Sequence, residues 1–150
     1  MTEARGQAKQ PPAAVREILR RAGHELRNAL SGIAVNVEVV RTRIGRPDSA
    51  EDLTSFANRA SAQVEEASAL TDGLLALVSS VLAAQAAGTL KEPAGDSAGS
   101  RIELMIYGDA AAGIVSDIER LASRVLVGVE QRGPSVILTI LPEGKSHSKA

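Results

Sequence analysis

From Val15 to Ile44, apolar residues return at steps of three and four: Val15, Leu19, Ala22, Leu26, Ala29/Leu30, Ile33, Val37, Val40 and Ile44. A spacing that alternates this way for about four heptads is the seam of a coiled coil or helical bundle. Pro11 and Pro12 precede the run, as at a helix start, and Gly45 and Pro47 end it. The rhythm resumes at Leu53, Ala57, Ala60, Val64, Ala67, Thr71, Leu74, Val78 and Val81. Ser49 with Asp52 resembles a capping box for this second helix, and Gly88 is a plausible stop. So short a connection makes the two helices antiparallel neighbours. The spacing therefore predicts a helical hairpin over residues 13–88. Two helices bury each other's stripes only in part, so a dimeric four-helix bundle is the simplest way to cover the rest.

The rest of the chain is smaller and less regular. Residues 1–12 and 142–150 read as disordered ends. Residues 89–101 mix Gly, Pro, Ser, Asp and Lys without a period and read as a linker. Within residues 102–141 a strand-helix-strand order is expected. RIELMIY reads as the first strand, Ile114, Ile118, Leu121, Val125 and Val129 mark an amphipathic helix, and SVILTIL follows Gly133-Pro134 as the second strand. Some fifty residues make a poor core alone, so this fragment is expected to pack on the bundle or across the dimer. The expected fold is mainly α with a small α/β appendage.

Composition narrows the function. Phe56 and Tyr107 are the only aromatics, which leaves no platform for base stacking. The formal net charge of −1 likewise argues against a nucleic-acid partner. Without cysteine there is no thiolate metal site, disulfide or thiol nucleophile, and a cytoplasmic home is favoured. The polar start lacks the apolar core of a signal peptide. Gly73 to Leu90 carries no charge, but Ser79, Ser80 and Gln85 interrupt it, so a membrane span is not expected. The even total hides an asymmetry. Residues 1–46 hold nine Lys and Arg against four Asp and Glu, and the remainder holds eight against fourteen. The basic segment surrounds His24 and suits an acidic partner.

Two histidines are available for chemistry. His147 lies in the polar tail and reads as inert. His24 lies two residues from both Ala22 and Leu26, about 200° round the helix from each, so it points away from the seam. It shares that outer face with Arg20, Arg21, Arg27 and Asn28. The plain account is an exposed histidine on a basic face. The chemical account is stronger. An exposed neutral imidazole is a nucleophile near neutral pH, and the neighbouring Glu25 can accept the proton on its other nitrogen. Asn28, one turn on, can orient a water or a phosphoryl oxygen. The arginines favour an incoming phosphate. Gly23 costs roughly 1 kcal/mol in a helix relative to Ala, and its missing side chain leaves room for a partner beside His24.

The stretch GHELRNALSGIAVNVEVV resembles the H-box of bacterial sensor histidine kinases, their dimerisation and phosphotransfer module. The family pattern is roughly H-E-L-R-[TN]-P-L on the first helix of a dimeric hairpin. The resemblance covers about 75 residues and is dense over seven. It implies that His24 is the phospho-acceptor, that Glu25 is the acidic residue assisting it, and that Asn28 is the polar residue associated with dephosphorylating a receiver domain. Ala29 stands where the family usually has proline, so the usual kink is not implied. Asp117, Arg120 and Leu121 resemble the D-x-x-R-L start of the first nucleotide helix in the family's ATP-binding domain. Val127 and Gln131 stand near where its asparagine box would fall, and no glycine-rich lid follows. A degenerate ATPase-like fragment without nucleotide, metal or cofactor is therefore expected, with an unrelated small module as the alternative.

These readings point to a histidine-containing phosphotransfer protein of a two-component phosphorelay. It would form a homodimer and exchange phosphoryl groups between His24 and a receiver-domain aspartate of a response regulator. A histidine kinase is a further partner class. Two alternatives are a non-catalytic adaptor that docks a receiver or heterodimerises with a kinase, and a receiver phosphatase using Asn28.

Overall fold

The computed structural model describes residues 10–48, 50–95 and 99–143. The chain is mainly helical. Helix α1 spans Ala13–Arg43 and α2 spans Ala50–Ala87. Strand β1 (Arg101–Met105), helix α3 (Ala111–Arg124), and strands β2 (Val127–Arg132) and β3 (Ser135–Ile140) follow. Residues 1–9, the Ser49 cap, residues 96–98 of the expected linker and residues 144–150, His147 among them, lie outside the described residues.

Local chemistry sets the helix ends. Pro12 is extended (ψ 146°), and its carbonyl accepts the first helical hydrogen bond from Arg16 N–H at 3.0 Å. Arg41 and Arg43 occupy the last turn of α1, and Glu51 and Asp52 the first turn of α2, each suiting its end of the helix dipole. Arg43 and Asp52 pair across the connection at 3.0 Å. Gly88 takes a left-handed φ of 68° and ends α2, while Thr89 N–H caps the Ala84 carbonyl at 2.9 Å. Midway along the hairpin, Asn36 donates to the Gln63 side-chain carbonyl at 2.9 Å. A Cβ at Gly32 would overlap that Gln63 amide.

The core lies at the open end of the hairpin. Ala14, Val15, Ile18 and Ala22 of α1 meet Leu70, Leu77, Val81 and Ala84 of α2. Both helices pack on Val115, Ile118 and Leu121 of α3 and on Ile102, Leu104, Val136 and Leu138 of the sheet. The C-terminal segment is thus one lobe sharing a core with the hairpin. The two come close at Gly73, where a Cβ would lie 2.5 Å from Leu121 Cβ and 2.8 Å from the Asp117 carbonyl oxygen.

Three expectations differ in detail. The helix read through Val129 stops at Arg124. Leu126 adopts φ 54°, and the alternating Val127-Gly128-Val129 continues as a strand, since a period of two outweighs the single four-residue step from Val125 to Val129. The sheet has three antiparallel strands in the order β1-β3-β2, with Ile102 opposite Leu138 and Val129 opposite Leu138 on the other side. The stretch read as a linker also joins the sheet, where Lys91 and Glu103 exchange backbone hydrogen bonds of 3.0 and 2.9 Å.

The helical stripes are also rotated. Leu30, Val37 and Ile44 of the expected α1 seam are exposed, while Ile18 is buried. In α2 the buried positions are Leu70, Gly73, Leu77, Ser80, Val81 and Ala84. Val64, Leu75, Val78 and Leu82 face outward. Leu82 follows Leu77 by five residues and so lies about 140° round the helix. Helix α2 therefore carries two apolar stripes, one spent on the lobe and α1, the other open. By length and composition it is also apolar enough to cross a membrane, with 39% of its most apolar window buried.

Candidate functional site

His24 is exposed on α1, beside the junction of the hairpin with the lobe. It lines a cavity of about 210 Å³ together with Arg20, Arg21 and Glu25 of α1, Arg124, Val125 and Leu126 at the α3–β2 turn, and Glu143 after β3. Arg27 and Asn28 are exposed on the same helix but do not line the cavity. At Gly23, a Cβ would meet nothing within 4 Å, so no packing contact requires glycine beside His24.

The arginines that the sequence assigns to phosphate attraction are largely engaged within the chain. Glu17 accepts from Arg20 Nε at 2.8 Å and Nη2 at 2.7 Å, and from Arg21 Nε at 2.8 Å. The Arg20 hydrogen bonds, and then that of Arg21, hold the Glu17 carboxyl well below its ordinary range, at about 2. The same pairing raises the Arg20 pKa. Arg21 has a second task. Its Nη1 donates to the backbone carbonyls of Val125 at 3.2 Å, Leu126 at 3.1 Å and Leu141 at 2.9 Å. Those carbonyls lie at the α3–β2 turn and just after β3, and the Leu126 carbonyl also accepts from Leu141 N–H at 2.9 Å. Arg21 is a bracket between the His24 helix and the lobe.

Glu143 approaches Arg20 at 3.4 Å and Arg21 at 3.7 Å, and Arg124 pairs with Glu66 of α2 at 3.2 Å. Sequence reasoning missed both Glu143 and Arg124. They lie about a hundred residues from His24, and no local pattern marks a contact of that range. Asp117 and Arg120 pair along α3 at 3.7 Å, and Leu121 is buried against Gly73. Of these D-x-x-R-L positions, the Leu121 side chain packs α3 on α2, whereas the Asp117–Arg120 pair stays within α3. Val127 and Gln131 lie on strand β2 rather than on a helix. Among the described residues, no group of three or more His, Cys, Asp or Glu is placed to hold a metal ion.

No protein-family model matches the chain, and neither does any curated protein or solved structure.

Proposed function

We propose that the chain is a histidine phosphotransfer protein that exchanges phosphoryl groups with a receiver-domain aspartate and works as a dimer in the cytoplasm. The observation that carries this reading is the placement of His24. It is exposed on a long helix, next to Glu25, at the mouth of a cavity lined by three arginines. The step is in-line transfer. A lone pair on one imidazole nitrogen attacks the phosphorus of the aspartyl phosphate. The bond from phosphorus to the aspartate oxygen breaks, and the carboxylate leaves. The proton on the other ring nitrogen passes to Glu25 or to water. The outward stripes of α1 and α2 supply the dimer face, and the short α3 with Val127 and Gln131 on a strand supports a role without ATP.

Incubated with a phosphorylated receiver domain, the protein is expected to gain one acid-labile, base-stable phosphoryl group per chain. His24→Ala abolishes it. Glu25→Ala slows transfer about 10²–10⁴-fold, the usual worth of a positioned proton acceptor. Asn28→Ala spares transfer and reduces hydrolysis. Uptake by the His24→Ala variant, or none by the wild type, sinks the proposal.

One observation favours a second reading. Glu17 and Glu143 offset the charges of Arg20 and Arg21, which suits an adaptor that docks a receiver or a kinase without covalent chemistry.

A further inference from the structure

Three guanidinium groups line the cavity beside His24, and they are not equivalent. Arg21 is nearly buried, its side chain 11% exposed, and spends Nη1 on three carbonyls and Nε on Glu17. Turning it toward a ligand would give up all four of these hydrogen bonds at once. Arg20 closes a fork on Glu17 and also meets Glu143. Together these two cations face two carboxylates, so their formal charges cancel. Glu25 then leaves the cavity one charge negative, a poor place for a phosphoryl dianion.

Arg124 alters this balance. It is the last residue of α3, its side chain is 57% exposed, and its one ion pair among the described residues is with Glu66 through Nη1. Nε and Nη2 are left with donors to spend. Its backbone is well fixed, because the carbonyls of the next two residues are those that Arg21 holds from α1. A guanidinium on a fixed backbone with a free fork suits bidentate contact with phosphoryl oxygens.

We infer that Arg124, delivered by the lobe, is the residue that binds the phosphoryl group carried on His24. This rests on the phosphotransfer reading of His24 and adds to it a task for the lobe. With no phosphoryl group present, Glu66 holds the guanidinium. When His24 is modified, the dianion competes for it, and the Glu66 pair, being solvent-exposed, is weak enough to yield.

The test uses the full chain and potassium phosphoramidate, a small donor whose P–N bond breaks with loss of ammonia as the bond from phosphorus to His24 forms. Labelling is followed by phosphorus NMR. Arg124→Gln is expected to label at least ten-fold more slowly. The titration midpoint of its phosphohistidine is expected to rise by about half a pH unit, because removing a nearby cation disfavours the dianion. Arg124→Lys should recover part of both effects. Glu66→Gln breaks the same ion pair but keeps the cation, so it should label at the wild-type rate or faster. If Arg124→Gln labels and titrates like the wild type, the inference is overturned and the phosphotransfer reading stands. If Glu66→Gln falls as far as Arg124→Gln, the pair is structural and the inference is overturned. If wild-type His24 accepts no phosphoryl group from phosphoramidate or from a receiver, both fail together.

Discussion

Arg20 and Arg21 are adjacent in sequence and both hydrogen-bonded to Glu17, yet their surroundings give them different work. Arg20 is exposed and its pairs compete with water, so its removal is expected to leave stability near that of the wild type. Arg21 satisfies three carbonyls at the seam between α1 and the lobe. Arg21→Ala removes these hydrogen bonds from a partly exposed junction and should cost about 1 kcal/mol, the net worth of an ordinary hydrogen bond. Urea denaturation of the two alanine variants reads the contrast directly. Equal midpoints would mean that water replaces the bracket without loss. The sequence identifies His24, Glu25 and the basic neighbourhood because all lie within a few residues on one helix, where the period alone places them on a face. It does not separate Arg20 from Arg21. That difference is made by Val125, Leu126 and Leu141, which are distant in the chain and contribute only backbone oxygens that carry no residue-specific signal.

At the scale of elements, two glycines in helices have opposite meanings. Alanine in place of glycine ordinarily stabilises a helix by about 1 kcal/mol. At Gly23 nothing opposes that gain, since a Cβ meets open space. At Gly73 the new Cβ would lie 2.8 Å from the backbone oxygen of Asp117 and 2.5 Å from Leu121 Cβ. A backbone oxygen inside a helix cannot swing aside, so α2 and α3 must part and the core beneath them loosens. Gly73→Ala is therefore expected to cost about 1–3 kcal/mol, the range for overpacking a core, while Gly23→Ala raises the melting temperature. A Gly73→Ala variant that melts at or above the wild-type temperature would mean the two helices are less closely pressed than described. The sequence marks both helices of the hairpin because their apolar period is long. It hides β2, because the step from Val125 to Val129 continues the period of the preceding helix, and the alternation Val127-Gly128-Val129 that outweighs it is short.

The whole molecule has a lobe on one side of its hairpin and an uncovered apolar surface elsewhere. Periodicity in α2 reads as one broad stripe, whereas the chain uses two. Leu70, Leu77 and Ala84 are consumed by α1 and α3, and Val64, Leu75, Val78 and Leu82 remain open. A single helix cannot announce which stripe meets which neighbour, since that depends on a lobe folded from residues 101–140. The consequence is testable. Leu75 and Leu82 are 63% and 60% exposed, a poor arrangement for an isolated chain in water, and full burial of each is worth about 1.5–3 kcal/mol. With Leu30 and Val37 of α1, exposed at 54% and 52%, they supply enough apolar surface for a second hairpin to cover. Light scattering at micromolar concentration should report twice the chain mass of 15.6 kDa. Leu75→Glu with Leu82→Glu should return it to one chain while the circular dichroism spectrum stays helical, because neither residue enters the core around α3. The wild type could instead stay a single chain at every concentration and float with lipid vesicles. The same stripe would then be a membrane-facing surface, and the four-helix bundle would have to be abandoned.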